Sequence, residues 1–220
     1  MIISHEHKFI FIHIPRTAGT RISKSLCESM GVRNWQAFIG EPESLIGPGK
    51  SGERCVFPSK WIGKKHIKAD DLKSQLDDEV WDSYFKFAFV RNPWDRTVST
   101  YLHRRKVASG VVRAIWPESR LLFNAALIAK YDLLGYSSVQ QKKYVTNKKG
   151  SIIVDFIGRF ENLEEDFGCI CDRIGLKSTL GSKYDKTSKV SYKKWYNKIG
   201  KKVVQKVNKK DIKKFGYKFD

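Results

Sequence analysis

The sequence is poor in cysteine, in acid and in long apolar runs. Its four cysteines, Cys27, Cys55, Cys169 and Cys171, are too few and too irregularly spaced for a disulfide scaffold, and they read as free thiols. Cys169 and Cys171 stand two apart on a predicted helix and face different directions, with no histidine beside them to complete a zinc set, so no metal is expected. No apolar run approaches the ~18 residues of a membrane helix, and the longest, Phe9 to Ile14 (FIFIHI), is strand-sized. His5, Glu6, His7 and Lys8 interrupt the place where an apolar leader would run, which predicts a cytoplasmic chain without a membrane span.

Acid is scarce relative to base. Against 42 Lys plus Arg stand only 23 Asp plus Glu, a net charge of +19. Apolar residues at 41% and aromatics at 13% exclude an intrinsically disordered chain, and 220 residues suit a single domain over 1–220. The surplus is uneven: residues 183–220 hold 14 Lys against Asp185, Asp211 and Asp220, which is 11 of the 19 charges. Within 190–220, Trp195, Ile199, Val203, Val204, Ile212 and Phe215 recur at helical spacing. A Lys-rich helical segment docked by its apolar stripe is expected there, its other face either solvated or receiving a polyanion.

Strand and helix patterns alternate along the chain, the signature of an α/β fold on a parallel sheet. Lys8 to Ile14 reads as a buried strand, followed by a PRTAGT turn and an amphipathic stretch from Arg21 to Met30. Gly40 to Pro58 is an irregular excursion, and Ala69 to Leu76 a short helix. Tyr84 to Val90 is a second strand, after which Asn92 and Pro93 mark a helix start running through Tyr101. A helical pattern covers Ser119 to Tyr131, a third strand Ile152 to Phe160, and Asn162 with Glu165 resembles a capping box opening a helix that ends near Gly175.

Two strand exits carry the chemistry. At the first, Pro15 to Arg21 (PRTAGTR), a strand–loop–helix junction aims backbone amides and a helix N-terminus at one point, the arrangement that holds phosphate-like anions. Gly19 permits close approach, Thr17 and Thr20 bring hydroxyls, and Arg16 a forked positive charge; an ordinary turn is the alternative. At the second, Val90 to Tyr101 (VRNPWDRTVSTY), Arg91 and Ser99 converge on one anion, unless Arg91 and Arg96 simply pair with Asp95 at the surface. Two such exits in one sheet imply a ligand with two separate phosphate-like groups. Ser44 to Ser51 (SLIGPGKS) imitates a nucleotide loop, but it begins with Ser, follows no strand and opens no helix.

These motifs resemble those of the sulfotransferases that use 3′-phosphoadenosine 5′-phosphosulfate (PAPS), in particular the carbohydrate-type branch. IHIPRTAGTRI stands where that family has its 5′-phosphosulfate loop, and FAFVRNPWDRTVSTY where it has its 3′-phosphate site; KHIKADDL, VDFIGRFENLEEDF and DIKKFGYKF extend the likeness over nearly the whole chain. The resemblance implies a three-layer α/β fold with a P-loop-like strand–loop–helix, and transfer of a sulfonyl group from PAPS to an acceptor hydroxyl. It also implies that Arg16, Thr17, Ala18, Gly19, Thr20 and Arg21 hold the 5′-phosphosulfate, Arg91 and Ser99 the 3′-phosphate, and Lys186 and Thr187 a late polar loop over the cofactor. Arg16 departs from the family's usual Lys. It would support the leaving phosphate, with His66 as general base unless it merely anchors a turn, and His103 the alternative base. Arg159 is either a ligand or the partner of Glu161. The basic surplus favours an anionic acceptor such as an acidic or sulfated glycan, small hydroxylated metabolites being the alternative, with no specific nucleic acid as partner. The rival classes are a P-loop kinase-like phosphotransferase and a non-catalytic polyanion- or nucleic-acid-binding protein.

Overall fold

The computed structural model describes residues 1–31, 55–56, 66–107, 119–130, 139–180 and 191–220. They fall into two compact units, one of residues 1–90 with 143–184, the other of 91–142 with 185–220.

The first unit is built on a five-stranded sheet of order β3-β1-β2-β4-β5. Its strands are β1 (Ile2–Ser4), β2 (Phe9–Ile12), β3 (Cys55–Val56), β4 (Phe85–Val90) and β5 (Phe156–Arg159). β2, β4 and β5 run parallel, with Phe9 opposite Phe85 and Phe87 opposite Phe156. β1 runs antiparallel to both its neighbours, β2 and β3, a correction to the expected parallel sheet. The reason lies in connection length: β1 reaches β2 through the four residues His5–Lys8, and so short a link can join only antiparallel neighbours. With three residues, β1 is too short to show a period in the sequence.

Alternation puts Phe9, Phe11, Phe87 and Phe89 on one face of the sheet. There α1 (Gly19–Ser29) and a later helix, Leu163–Ile174, pack Ile22, Leu26, Phe167 and Ile170 against them. Ile10, Ile12 and Ala88, which alternate onto the other face, are equally buried, as parallel strands require. Two short helices, α2 (Ala69–Lys73) and α3 (Asp78–Ser83), precede β4. The third strand is shorter than predicted, Ile152 contributing only an isolated bridge to Thr146. The capping box before Leu163 does not form, since Asn162 makes no side-chain cap bond; the helix does end at Gly175, whose φ of 70° is the left-handed conformation that glycine permits.

The second unit is helical: α4 (Pro93–Val107) and α5 (Arg120–Lys130), then, after the first unit's Leu163–Ile174 helix, which is α6 in chain order, α7 (Lys198–Val207) and α8 (Lys209–Phe215). Trp94, Val98, Tyr101, Phe123, Trp195 and Val204 form its core. Asn124 ties the tail to α5, donating to the Trp195 carbonyl at 2.7 Å and accepting from the Asn197 amide at 3.1 Å. Through these bonds the tail packs on α5. Ile199 is 57% exposed and outside the apolar stripe. Lys198, Lys202 and Lys206 lie one turn apart on the exposed side of α7, and Lys209, Lys210, Lys213 and Lys214 are exposed on α8. Among the described residues no helix is long and apolar enough to cross a membrane.

Candidate active site

The turn after β2 is held in an unusual backbone shape. Arg16 and Ala18 both adopt positive φ, 68° and 66°, a conformation costing a residue with a Cβ about 1–2 kcal/mol. Between them Thr17 is fully buried, and its hydroxyl donates to the Ile14 carbonyl at 2.9 Å, bracing the turn from inside. Ala18 is the N-cap of α1 and has no side chain to offer the helix. The first bonds back to its carbonyl come from Arg21 at 2.9 Å and Ile22 at 3.1 Å, so the Gly19 and Thr20 amides precede the helical ladder. An Asp, Ser or Asn cap would have consumed such donors; Ala18 makes no side-chain cap bond.

Gly19 is required by space rather than by conformation. A Cβ built on it would stand 2.0 Å from Cδ2 of His13, whose ring lies beneath the turn. His66 is fixed to the same stretch of chain: its Nδ1 lies 3.0 Å from the His13 carbonyl oxygen, and the two rings meet edge-on with centroids 4.7 Å apart. A carbonyl only accepts, so Nδ1 is the donor in this contact. The structure thus brings His66 to the first strand exit. Arg16 is half-buried and Thr20 exposed. The Arg21 guanidinium pairs with Glu164 at 2.7 Å.

The second exit is organised by side chains. Asn92 caps α4, its Oδ1 accepting from the Trp94 amide at 3.1 Å and its carbonyl from the Arg96 amide at 2.8 Å, with Pro93 at the first helical position as predicted. The Asn92 side-chain amide also donates to the Lys218 carbonyl at 2.9 Å. Arg91 Nε donates to Asp95 at 2.8 Å, and Asp95 shares a helix face with the buried Ser99 one turn on. Arg91 is thus directed along the side that carries Ser99. Arg96 takes no part in that pair; 1% exposed, it donates to the Val139 carbonyl at 3.0 Å.

Sequence reasoning passed over His13, Gln141 and Asp211. Only His13 left a trace, as a polar residue ending an apolar strand six positions before Gly19. Lys186, Thr187 and the Ser44–Ser51 loop lie outside the described residues. His103 is on α4, and Arg159 gives its backbone amide to Asp166. Cys169 is exposed and Cys171 buried, the latter's thiol pushed up to about 11 chiefly by burial, which keeps it protonated at neutral pH.

Comparison with known proteins agrees with the motifs. A family model described as the sulfotransferase family matches residues 1–218. An uncharacterized protein of Archaeoglobus fulgidus is 30% identical over 125 residues, 56% of this chain and 94% of that protein. No solved structure gives a significant match.

Proposed function

Because the chain belongs to the sulfotransferase family, we propose that it transfers a sulfonyl group from PAPS to the hydroxyl of an acceptor, a carbohydrate by preference and an anionic one. The observation that carries the reading is the turn from Pro15 to Gly19: two left-handed residues around a buried Thr17, opening into a helix with no side-chain cap, over a glycine that admits no side chain. That combination suits a doubly charged phosphosulfate, and the residues from Arg16 to Arg21 are assigned to it. Arg91 and Ser99 are assigned to the 3′-phosphate, and Lys186 with Thr187 to the closing loop.

PAPS supplies an activated sulfonyl group. The acceptor oxygen attacks sulfur as the bond from sulfur to the bridging phosphate oxygen breaks, and the hydroxyl proton passes to Nε2 of His66. Arg16 and the amides of Gly19 and Thr20 stabilise the charge gathering on the departing phosphate, the electrostatic positioning that dominates such group transfers. No metal has a part in this scheme.

Adenosine 3′,5′-bisphosphate, the product nucleotide, tests the proposal directly. It should raise the melting temperature in proportion to its concentration, whereas ATP with Mg²⁺ should not. Stabilisation by ATP with Mg²⁺ alone would favour a kinase-like phosphotransferase, and stabilisation by neither would remove the nucleotide from the reading.

A further inference from the structure

Behind Arg91 lies a buried polar chain that none of the assignments above uses. Gln141 is 0% exposed, and its side chain makes two bonds to the main chain of Arg91: Oε1 accepts from the Arg91 amide at 2.9 Å, and Nε2 donates to the Arg91 carbonyl at 2.8 Å. Arg91 stands one residue past β4, and this amide gives its peptide the two-bond pairing that a strand neighbour would give. Gln141 is held in turn. Asp211 of α8, also 0% exposed, accepts from the Gln141 amide at 2.6 Å and from the Lys142 amide at 2.9 Å. The buried guanidinium of Arg96 lies close enough to act on that carboxylate electrostatically.

Burial makes this chain strict. A buried amide or carboxylate deprived of one partner bears the full cost of desolvation, so each member has one arrangement that satisfies it. Fixing the peptide at residue 91 fixes the direction in which its Cβ leaves the backbone, and the bond from Nε to Asp95 fixes the far end of the same side chain. We propose that Gln141 is a positioning residue for Arg91, itself seated by Asp211, so that α8 sets the geometry of the anion contact at the second strand exit. The proposal rests on the assignment of Arg91 to the 3′-phosphate. A Gln serving only the fold would make the same bonds, but its loss would not discriminate between ligands with and without that phosphate.

The test is a double-mutant cycle read by calorimetric binding of adenosine 3′,5′-bisphosphate and of 5′-AMP to the full chain. Gln141→Met, which keeps length and removes the amide, should weaken the bisphosphate about 10-fold and 5′-AMP by less than about 2-fold. In the Arg91→Ala background the same change should cost nothing further, because there is no guanidinium left to position. Equal losses for both ligands, or a full additional loss on top of Arg91→Ala, would overturn the positioning role. If Arg91→Ala alone fails to separate the two ligands, the 3′-phosphate assignment falls and the proposal with it. If Arg91→Ala separates them and Gln141→Met does not, only the positioning role falls. Asp211→Asn, which keeps one acceptor for the two amides, should shift the same ligand ratio in the same direction by a smaller factor. Should Gln141→Met not fold, an unchanged ratio in Asp211→Asn overturns the proposal.

Discussion

The two strand exits are built by opposite means. The first is made of backbone: positive φ at Arg16 and Ala18, a hydroxyl from Thr17 turned inward, and a glycine pressed on the His13 ring. The second is made of side chains: a cap from Asn92, an ion pair from Arg91 to Asp95, an amide clip from Gln141. A backbone site cannot be lost by truncating one residue, yet it fails as a whole when its geometry is disturbed. A side-chain site can be dismantled piece by piece while its helix stands. The difference predicts how each responds to mutation.

The largest effect belongs to His66, the one proposed reacting side chain seated on the backbone site. Removing a general base costs ~10²–10⁴ in rate and leaves ground-state binding intact. His66→Asn should therefore bind adenosine 3′,5′-bisphosphate normally and lose most of its turnover. The wild type should lose activity on acidification through the range where an imidazole protonates, since His66 then carries a proton on both nitrogens and accepts none. His103→Asn serves as the parallel; if it is inactive while His66→Asn keeps near wild-type kcat, the base is His103.

Arg91→Ala comes next. It should weaken the bisphosphate by about 1.5–3 kcal/mol, the range for hydrogen bonds to a charged group, and hardly touch 5′-AMP. Equal losses for both ligands would show that the second exit does not read the 3′-phosphate. Gly19→Ala should behave differently. With its Cβ 2.0 Å from the His13 ring, the overlap should cost about 1–3 kcal/mol of stability, and nucleotide binding should fall along with it. Replacing His13 with Ala in the same chain should return part of that stability, because the collision needs both partners. Melting temperatures for the three variants check this, and additive losses would place the defect elsewhere.

How much of this the sequence discloses follows the same division. Where a feature depends on local spacing, it was legible: the αβ alternation, Pro93 after its cap Asn92, the helix end at Gly175, the placement of Arg91 and Ser99 around one helix start. What depends on contacts between distant segments was not. β1 needed a partner before three residues could be a strand, and Gln141 sits in an unremarkable QQKKY whose meaning appears only when Asp211, 70 residues later, is folded against it. The pairing of Arg21 with Glu164, 143 residues later, likewise belongs to tertiary structure. Periodicity reports which face is buried; it says nothing about which polar groups meet there.

The smallest expected effect concerns a surface that neither exit includes. Lys206, Lys209, Lys210 and Lys213 are exposed, on helices whose other residues, Val204, Asp211 and Phe215, are buried. Reversing exposed charges disturbs packing little, so the fold should tolerate their replacement by Glu. What changes is the field. Eight units of charge removed from one stretch should raise KM for an anionic acceptor and flatten its dependence on salt, because screening acts on long-range attraction between charges that never come into close contact. The affinity for PAPS should move far less, since its proposed ligands at the two strand exits are short-range donors, whose strength depends on geometry. Initial rates at several ionic strengths, with a neutral and an anionic acceptor compared, separate the cases. A KM for the anionic acceptor that is unchanged at low salt would leave these lysines as a solvated helix face, and a parallel rise for the neutral acceptor would trace the effect to the fold instead of to charge.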